Sequence, residues 1–247
     1  MHVDTIFRIV SFSRSPNLAW LLAAWLISVN SAIAVHAGDE SNPSPRPSRD
    51  YDYEVPIAGS YTLPIIKGAA DGEALDSHGK PVRLRELMLG RITVLSFIYT
   101  RCAAARACPY ATGVLLQLHQ QSATDPELGK ALHLISMSFD PANDTPERMA
   151  SYARLAASHP EGSAWDFLTS KSQAELQPVL NAYGQAVDRK KNAFDPTGPL
   201  NHTLRVLLID SAGNIRNIYS SGTLDIRLVL ADVRTLMQER SNREHKQ

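Results

Sequence analysis

The sequence Ile92-Thr93-Val94-Leu95-Ser96-Phe97-Ile98-Tyr99 is an almost unbroken run of β-branched, aromatic and aliphatic residues, and Thr100-Arg101-Cys102 follows it directly. The run is too short for a buried helix and too apolar for a surface strand, so it predicts a central strand covered on both faces. Five residues then separate Cys102 from Cys108-Pro109. Proline suits the first turn of a helix, where its missing N–H costs nothing. Both cysteines are therefore expected between the end of a buried strand and the start of a helix.

The sequence around this run alternates between strand and helix patterns. The predicted elements are a small hairpin within 64–85, the strand 92–99, a helix after Cys108, a strand at 132–139, a helix from Thr145 to about 157, a short strand at 165–169, a helix from Ser172 to Tyr183, a long loop at 185–199, a hairpin of strands 204–209 and 215–219, and a helix at 224–237. This order is typical of an α/β protein with a thioredoxin-like fold. We expect a central mixed β-sheet flanked by helices, with an N-terminal hairpin.

Composition excludes several classes of protein. The chain has 247 residues, with 25 Lys+Arg against 25 Asp+Glu and a formal net charge of zero. A neutral protein lacks the positive field that non-specific nucleic-acid binding needs, so we expect no nucleic-acid partner. Its two cysteines are too few for a disulfide-rich scaffold or a cysteine-only zinc site.

The first 37 residues have the three parts of an export signal. Arg8 and Arg14 precede the apolar run 18–27, and small residues follow up to Ala37. We interpret 1–37 as a signal peptide or an N-terminal membrane anchor, 38–60 as a Pro/Ser-rich linker, 61–239 as one domain and 240–247 as a polar tail. The expected location is the periplasm or another extracytoplasmic space, with the protein soluble or anchored at the inner membrane.

The predicted position of the cysteines favours thiolate chemistry. A helix N-terminus offers unpaired N–H groups and partial positive charge, and Arg101 and Arg106 are expected to act in the same direction. Two thiolates on one loop suit Cu(I) or zinc, and a histidine could complete the ligand set. A structural disulfide closing a short loop is the alternative that the spacing leaves open.

Among the eight histidines, His202 is the candidate third ligand. It follows a Gly-Pro loop and comes just before a predicted strand, where functional loops gather. His78, His119, His133 and His159 are expected on the surface or with their hydrogen bonds satisfied in the core.

Three blocks of sequence together resemble the Sco/SenC family of exported copper chaperones for cytochrome oxidase assembly. They are Phe97-Ile98-Tyr99-Thr100-Arg101-Cys102 with Cys108-Pro109, Ser138-Phe139-Asp140-Pro141 with Asp144-Thr145-Pro146-Glu147, and Asn201-His202 before Val206-Leu207-Leu208-Ile209-Asp210 and Gly213. The resemblance implies a thioredoxin fold and a single copper ion, Cu(I) or Cu(II), bound by Cys102, Cys108 and His202. It also implies that Asp140 lies beside the site and supports the ligands.

The chain departs from the family's pattern at the cysteines and beside the histidine. The family has three residues between its cysteines, whereas five lie between Cys102 and Cys108. The family's acidic residue before the histidine is Asn201 here, and Arg106 lies inside the loop. The longer loop is expected to be less preorganised, and the site less anionic, than in the family.

Three functions are consistent with these residues. The first is an exported copper-binding metallochaperone that assists assembly of a copper centre in cytochrome c oxidase or a related redox enzyme. Its partner would be the copper-containing subunit of a terminal oxidase or a related exported redox protein. The second is a thiol–disulfide oxidoreductase or redox sensor in which Cys102 and Cys108 are catalytic without stable metal binding. The third is a binding module whose cysteines form only a structural disulfide.

Overall fold

The computed structural model describes residues 51–245. The predicted signal peptide or anchor at 1–37, and the part of the linker up to residue 50, lie outside the described residues. Within 51–245, none of the helices has the combined length and apolar character that crossing a bilayer needs.

The strands and helices of this region alternate along the chain. The strands are β1 (Lys67–Gly68), β2 (Glu73–Leu75), β3 (Pro81–Arg83), β4 (Ile92–Ile98), β5 (Leu132–Ser138), β6 (Ala164–Leu168), β7 (Val187–Arg189), β8 (Leu200–His202), β9 (Val206–Ile209) and β10 (Asn214–Tyr219). The helices are α1 (Leu84–Met88), α2 (Cys108–Thr124), α3 (Pro126–Ala131), α4 (Pro146–Ala153), α5 (Gln173–Tyr183) and α6 (Ile226–Glu244), with a 3₁₀ turn at Arg154–Ser158.

The central sheet has six strands in the order β1-β10-β9-β4-β5-β6. Strand β4 is parallel to β5, β5 is parallel to β6, and β4 is antiparallel to β9. Strands β9 and β10 form the predicted antiparallel hairpin, and β1 extends it. The prediction of a mixed sheet flanked by helices is confirmed.

Strand β4 is covered on both faces, as the sequence predicts. Every residue from Ile92 to Ile98 is buried. Leu95 and Phe97 belong to the core beneath α1, α4 and α5, whereas Ile92 and Val94 belong to the core beneath α2 and α6. Because side chains alternate across a strand, one continuous apolar run supplies both cores.

Turn residues in the sequence predicted the N-terminal hairpin correctly, but they did not predict the structure of the segment 185–199. Strands β2 and β3 form the expected hairpin, but as a separate two-stranded sheet. The prediction of one long loop at 185–199 is wrong, because β7 lies within it and pairs with β8. The lysines and prolines that indicated a loop belong only to the connection at 190–199.

Both predicted boundaries of the domain fall inside packed structure. Residues 51–60, assigned to the linker, contact α6 and the turn before it: Tyr51 Oη donates to Leu224 O at 3.3 Å, and Gly59 N–H donates to Thr235 Oγ1 at 3.0 Å. At the other end, α6 continues to Glu244, so residues 240–244 are not a polar tail. Arg240 pairs with Glu244 one turn later and donates to Gly90 O, which favours helix despite the polar sequence.

A buried arginine joins three distant parts of the domain. Arg216, 7% exposed, binds Leu63 O, the Asp210 carboxylate at 3.0 Å and the Glu239 carboxylate at 2.8 Å. Burial raises the pKa of Asp210, but hydrogen bonds from Asn214, Arg216 and the Ala212 amide outweigh it, so the pKa of this carboxyl lies below its usual value.

We predict that Asp210→Asn lowers the free energy of unfolding at pH 7 by about 3 kcal/mol, because it leaves a buried guanidinium with one carboxylate fewer. The folded-state pKa of Asp210 is depressed, so its contribution is present above the unfolded pKa of about 4 and is lost as the pH falls through the folded pKa. Urea unfolding between pH 7 and pH 2 measures both effects. The exposed Asp188→Asn is the control, and an equal loss in both variants would contradict the prediction.

Candidate metal centre

The cysteine loop begins where β4 ends. Cys102 N–H donates to Tyr99 O at 3.2 Å, and Ala107 N–H donates to Ala104 O at 2.9 Å, so two turns fold the loop back on itself. Helix α2 then begins at Cys108 with Pro109 in its first turn, as predicted. Both cysteines are buried free thiols. Cys102 is 8% exposed and Cys108 3%.

His202 reaches the cysteines from the last residue of β8. Its Nε2 lies 3.7 Å from Cys102 Sγ and 3.3 Å from Cys108 Sγ. All three donor atoms lie within 4.8 Å of one another, and in the described part of the chain no other group of three or more His, Cys, Asp or Glu side chains converges in this way. The two additional loop residues therefore do not prevent the three side chains from meeting.

The connection between β7 and β8 is fixed directly to the cysteine loop. Ala103 N–H donates to Thr197 O at 3.3 Å, and Tyr99 Oη donates to the same oxygen at 3.4 Å. Gly198 has φ +101°, and a Cβ built there would lie 2.1 Å from Tyr99 Oη and 2.8 Å from Arg101 O. Only glycine allows this approach and this backbone conformation together. The contact determines where the hairpin places His202.

Two aromatic rings enclose the imidazole. Tyr99 meets the His202 ring edge to face at 5.4 Å between centroids, and Phe139 lies at 5.1 Å. His202 Nδ1 lies 3.4 Å from Leu200 O, and Nε2 is the ring nitrogen that faces the sulfurs. The ring is therefore oriented for ligation by Nε2.

The two thiols differ in protonation. A hydrogen bond from the Cys108 thiol, together with bonds from His202 and the Cys108 and Ala104 amides, outweighs burial and lowers the pKa of Cys102 to about 4. Hydrogen bonding to the Cys102 thiolate and burial raise the pKa of Cys108. At neutral pH the pair therefore holds one thiolate and one thiol.

The flanking arginines contact groups outside the cysteine pair. Arg101 forms an ion pair with Asp140 at 2.9 Å, and Arg106 donates to Ser221 O at 3.3 Å. The main groups that lower the pKa of Cys102 are the thiol, imidazole and amides around it. The expectation that both arginines favour the thiolate stays a prediction.

Asp140 lies next to the cysteine loop but outside the group of converging donor atoms. Its carboxylate accepts from Arg101 and from Asn143 Nδ2 at 2.8 Å. It is therefore connected to the cysteine loop through Arg101, the residue before Cys102. Its predicted role in supporting the ligands stays a prediction.

Asp144 holds the start of the cysteine loop, a role that the sequence did not reveal. This fully buried carboxylate accepts from the Thr100 amide at 3.0 Å, from Thr100 Oγ1 and from Ser138 Oγ. It lies directly before the N-cap residue Thr145. Acidic residues are common before the N-cap of an exposed helix, so nothing in the sequence singled out Asp144. The packing of the structure shows that Asp144 fixes Thr100.

The other histidines lie apart from the site. His119 and His133 are buried, and each has both ring nitrogens against oxygen atoms. His78 is exposed and His159 is half-buried. The prediction that these four are surface or satisfied core residues is confirmed.

We predict that Gly198→Ala lowers the free energy of unfolding by about 2 kcal/mol or more, since it adds both backbone strain and a clash with Tyr99. The displaced hairpin should also raise the rate at which the cysteines react with iodoacetamide. Urea unfolding and mass spectrometry of the alkylated protein measure the two effects. Gly90→Ala is the matched control, because Gly90 has φ +83° but nothing within 4 Å of an added Cβ. Equal effects of the two substitutions would show that the contact with Tyr99 is unimportant.

We predict that the thiolate absorbance near 240 nm titrates with a midpoint at pH about 4 in the metal-free protein. Because the unfolded pKa is about 8.5, the stability that this ionisation supplies is fully present above pH 8.5 and is lost as the pH falls through about 4. Cys102→Ser should abolish the transition, and Cys108→Ala should move it to higher pH by removing the main hydrogen bond. A single midpoint near pH 8.5 in the unaltered protein would contradict this assignment.

A protein-family profile described as SCO1/SenC matches residues 69–238. A curated relative, the SCO1 protein homolog of Bacillus subtilis, is 30% identical over 121 residues, which are 49% of this chain and 58% of the relative. The alignment with this relative therefore spans less than two thirds of its length.

Solved structures show the same fold. Arabidopsis thaliana ScoI with copper bound superposes with a TM-score of 0.58 at 19% identity, covering 69% of this chain and 98% of that chain. A SCO1/SenC family lipoprotein from Bacillus anthracis gives a TM-score of 0.55 at 22% identity, covering 70% and 94%. The thioredoxin-like fold is thereby confirmed. Because the profile covers more than half of the chain, this protein belongs to the SCO1/SenC family.

Proposed function

We propose that the protein binds one copper ion through Cys102, Cys108 and His202 and delivers it during assembly of a copper centre. The observation that carries the proposal is the convergence of two sulfurs and one imidazole nitrogen within 4.8 Å. Soft thiolates with an imidazole suit Cu(I), and three protein ligands leave an exchangeable position.

The protonation of the pair fits metal capture. Cys102 already carries a thiolate, whereas Cys108 must lose its proton before it can ligate. Copper binding should therefore release about one proton at neutral pH. Nε2 of His202, the ring nitrogen that faces both sulfurs, supplies the third donor.

Delivery would use the accessible side of the site. Tyr99 and Phe139 cover two sides of the imidazole, and His202 itself remains half-buried. An incoming thiolate of the partner would enter the exchangeable position before the ligands of this chain leave. The proposed partner is the copper-containing subunit of a terminal oxidase, or a related exported redox protein. The export signal predicted at 1–37 supports an extracytoplasmic location, soluble or anchored at the inner membrane.

The second candidate is thiol–disulfide exchange by the same cysteines. The observation that favours it is the free thiol pair with a strongly acidified member. The Cys102 thiolate would attack a partner's disulfide, releasing one partner thiolate, and Cys108 would then resolve the mixed disulfide and release the other. Copper binding and exchange use the same cysteines, with one difference: copper binding needs His202 as a ligand, whereas in exchange His202 only helps to lower the pKa of Cys102.

We predict that anaerobic titration of the reduced protein with Cu(I), in competition with a chromophoric chelator, shows about one equivalent bound. His202→Ala should weaken the affinity by more than about 100-fold, since losing even an outer partner of a ligand costs about 10–100-fold. Cys102→Ser and Cys108→Ser should weaken it further, because each removes a thiolate. The exposed His78→Ala is the matched control and should bind as the unaltered protein does.

Two outcomes would decide against copper delivery. One is the absence of stoichiometric binding, and the other is binding that is indifferent to all three ligand substitutions. Disulfide exchange that persists in His202→Ala, together with no copper binding by the unaltered protein, would favour the oxidoreductase.

A further inference from the structure

The first described residues, beginning with Tyr51, lie at the same end of the central sheet as the metal centre. Strand β10 runs parallel to β4, so the turn 220–225 that follows β10 lies at the same edge as the cysteine loop that follows β4. Tyr51 lies against this turn, with Oη 3.3 Å from both Ser221 O and Leu224 O. The residues Tyr51–Tyr53, here called the tyrosine segment, are therefore neighbours of the site.

An arginine fixes the tyrosine segment to the start of α6. Arg227 donates to Tyr51 O at 3.3 Å, and its guanidinium lies 5.4 Å from the centre of the Tyr53 ring. The same guanidinium forms an ion pair with the N-cap residue Asp225 at 2.7 Å, and Asp225 is 1% exposed. A buried carboxylate thus orients the cation that holds both tyrosines.

The cysteine loop is attached to the same turn. Tyr110, two residues after Cys108, donates to Leu224 O at 2.6 Å and lies 3.4 Å from the Tyr51 hydroxyl. Arg106, inside the loop, donates to Ser221 O at 3.3 Å and lies 5.2 Å from the centre of the Tyr110 ring. The one hydroxyl hydrogen of Tyr51 is within reach of both carbonyls, and each carbonyl also accepts from the region around the cysteines: Ser221 O from Arg106 and Leu224 O from Tyr110.

We propose that the tyrosine segment and the turn 220–225 position the cysteine loop, with Tyr110 and Arg106 as the side chains that connect them. A loop with more residues between its cysteines has more conformations to lose before both sulfurs face one ion. Contacts from outside the loop lower this entropic cost, because they restrict the loop before an ion binds. Tyr51, Tyr53, Tyr110 and Arg106 act as positioning residues, because none of them belongs to the group of converging donor atoms.

The test compares the full chain with its Tyr51→Ala/Tyr53→Ala variant, both reduced and free of metal. We expect the amides of the peptide 100–112 to exchange with deuterium about tenfold faster in the variant, because exchange reports local opening. Alkylation of the cysteines by iodoacetamide should accelerate to a similar extent. The Cu(I) affinity, measured by chelator competition, should fall by about tenfold, which corresponds to the loss of about one hydrogen bond.

Two further variants separate positioning from general destabilisation. Tyr110→Phe removes the bond to Leu224 and keeps the ring beneath Arg106, so it should reproduce much of the effect. Tyr61→Phe is the matched control: Tyr61 Oη donates to Asp232 at 2.6 Å and thus also fixes the N-terminal residues to α6, but at a distance from the cysteines. It should lower the melting temperature without changing exchange in 100–112.

The proposal is overturned if the double variant and Tyr61→Phe alter exchange and alkylation of the loop equally. The inference about Cu(I) affinity rests on the proposed copper site, whereas exchange and alkylation are measured without metal. Absence of copper binding in the unaltered protein would therefore count against the proposed function alone, and unchanged loop exchange in the double variant would count against positioning alone.

Discussion

The close approach of Gly198 to the Tyr99 ring determines how the metal centre is assembled. The two sulfurs come from one loop, but the nitrogen comes from a hairpin that would otherwise be free to pack elsewhere. The glycine lets the hairpin's connection lie against Tyr99 closely enough for Thr197 O to accept from Ala103. The position of His202 relative to the cysteines is therefore a consequence of backbone contact.

Electrostatic compensation makes this arrangement tolerable in a buried site. A lone thiolate would be costly there, but Cys102 accepts from the Cys108 thiol, from amides and from the imidazole. The neighbouring charge of Arg101 is paired with the Asp140 carboxylate. The site is anionic by about one charge, which attracts a cation without requiring two thiolates to coexist unpaired.

The sequence predicted the features that depend on local pattern. The apolar run of β4, the Pro109 helix start and the three-block resemblance identified the fold and the candidate ligands. Features that depend on tertiary contact were missed or wrong: the pairing of β7 with β8, and the burial of Asp144 beneath Thr100. Neither leaves a periodic signal, because a three-residue strand is too short to show alternation and a single carboxylate has no pattern.

The separation of the ligands along the chain also sets an order of events in folding. Cys102 and Cys108 are close neighbours, whereas His202 lies 100 and 94 positions further on. Local contacts form before distant ones because closing a long loop costs more entropy. A nascent chain therefore completes its sulfur pair well before the hairpin that carries the nitrogen is in place. Detaching that hairpin would open the site while leaving the cysteine loop and α2 folded.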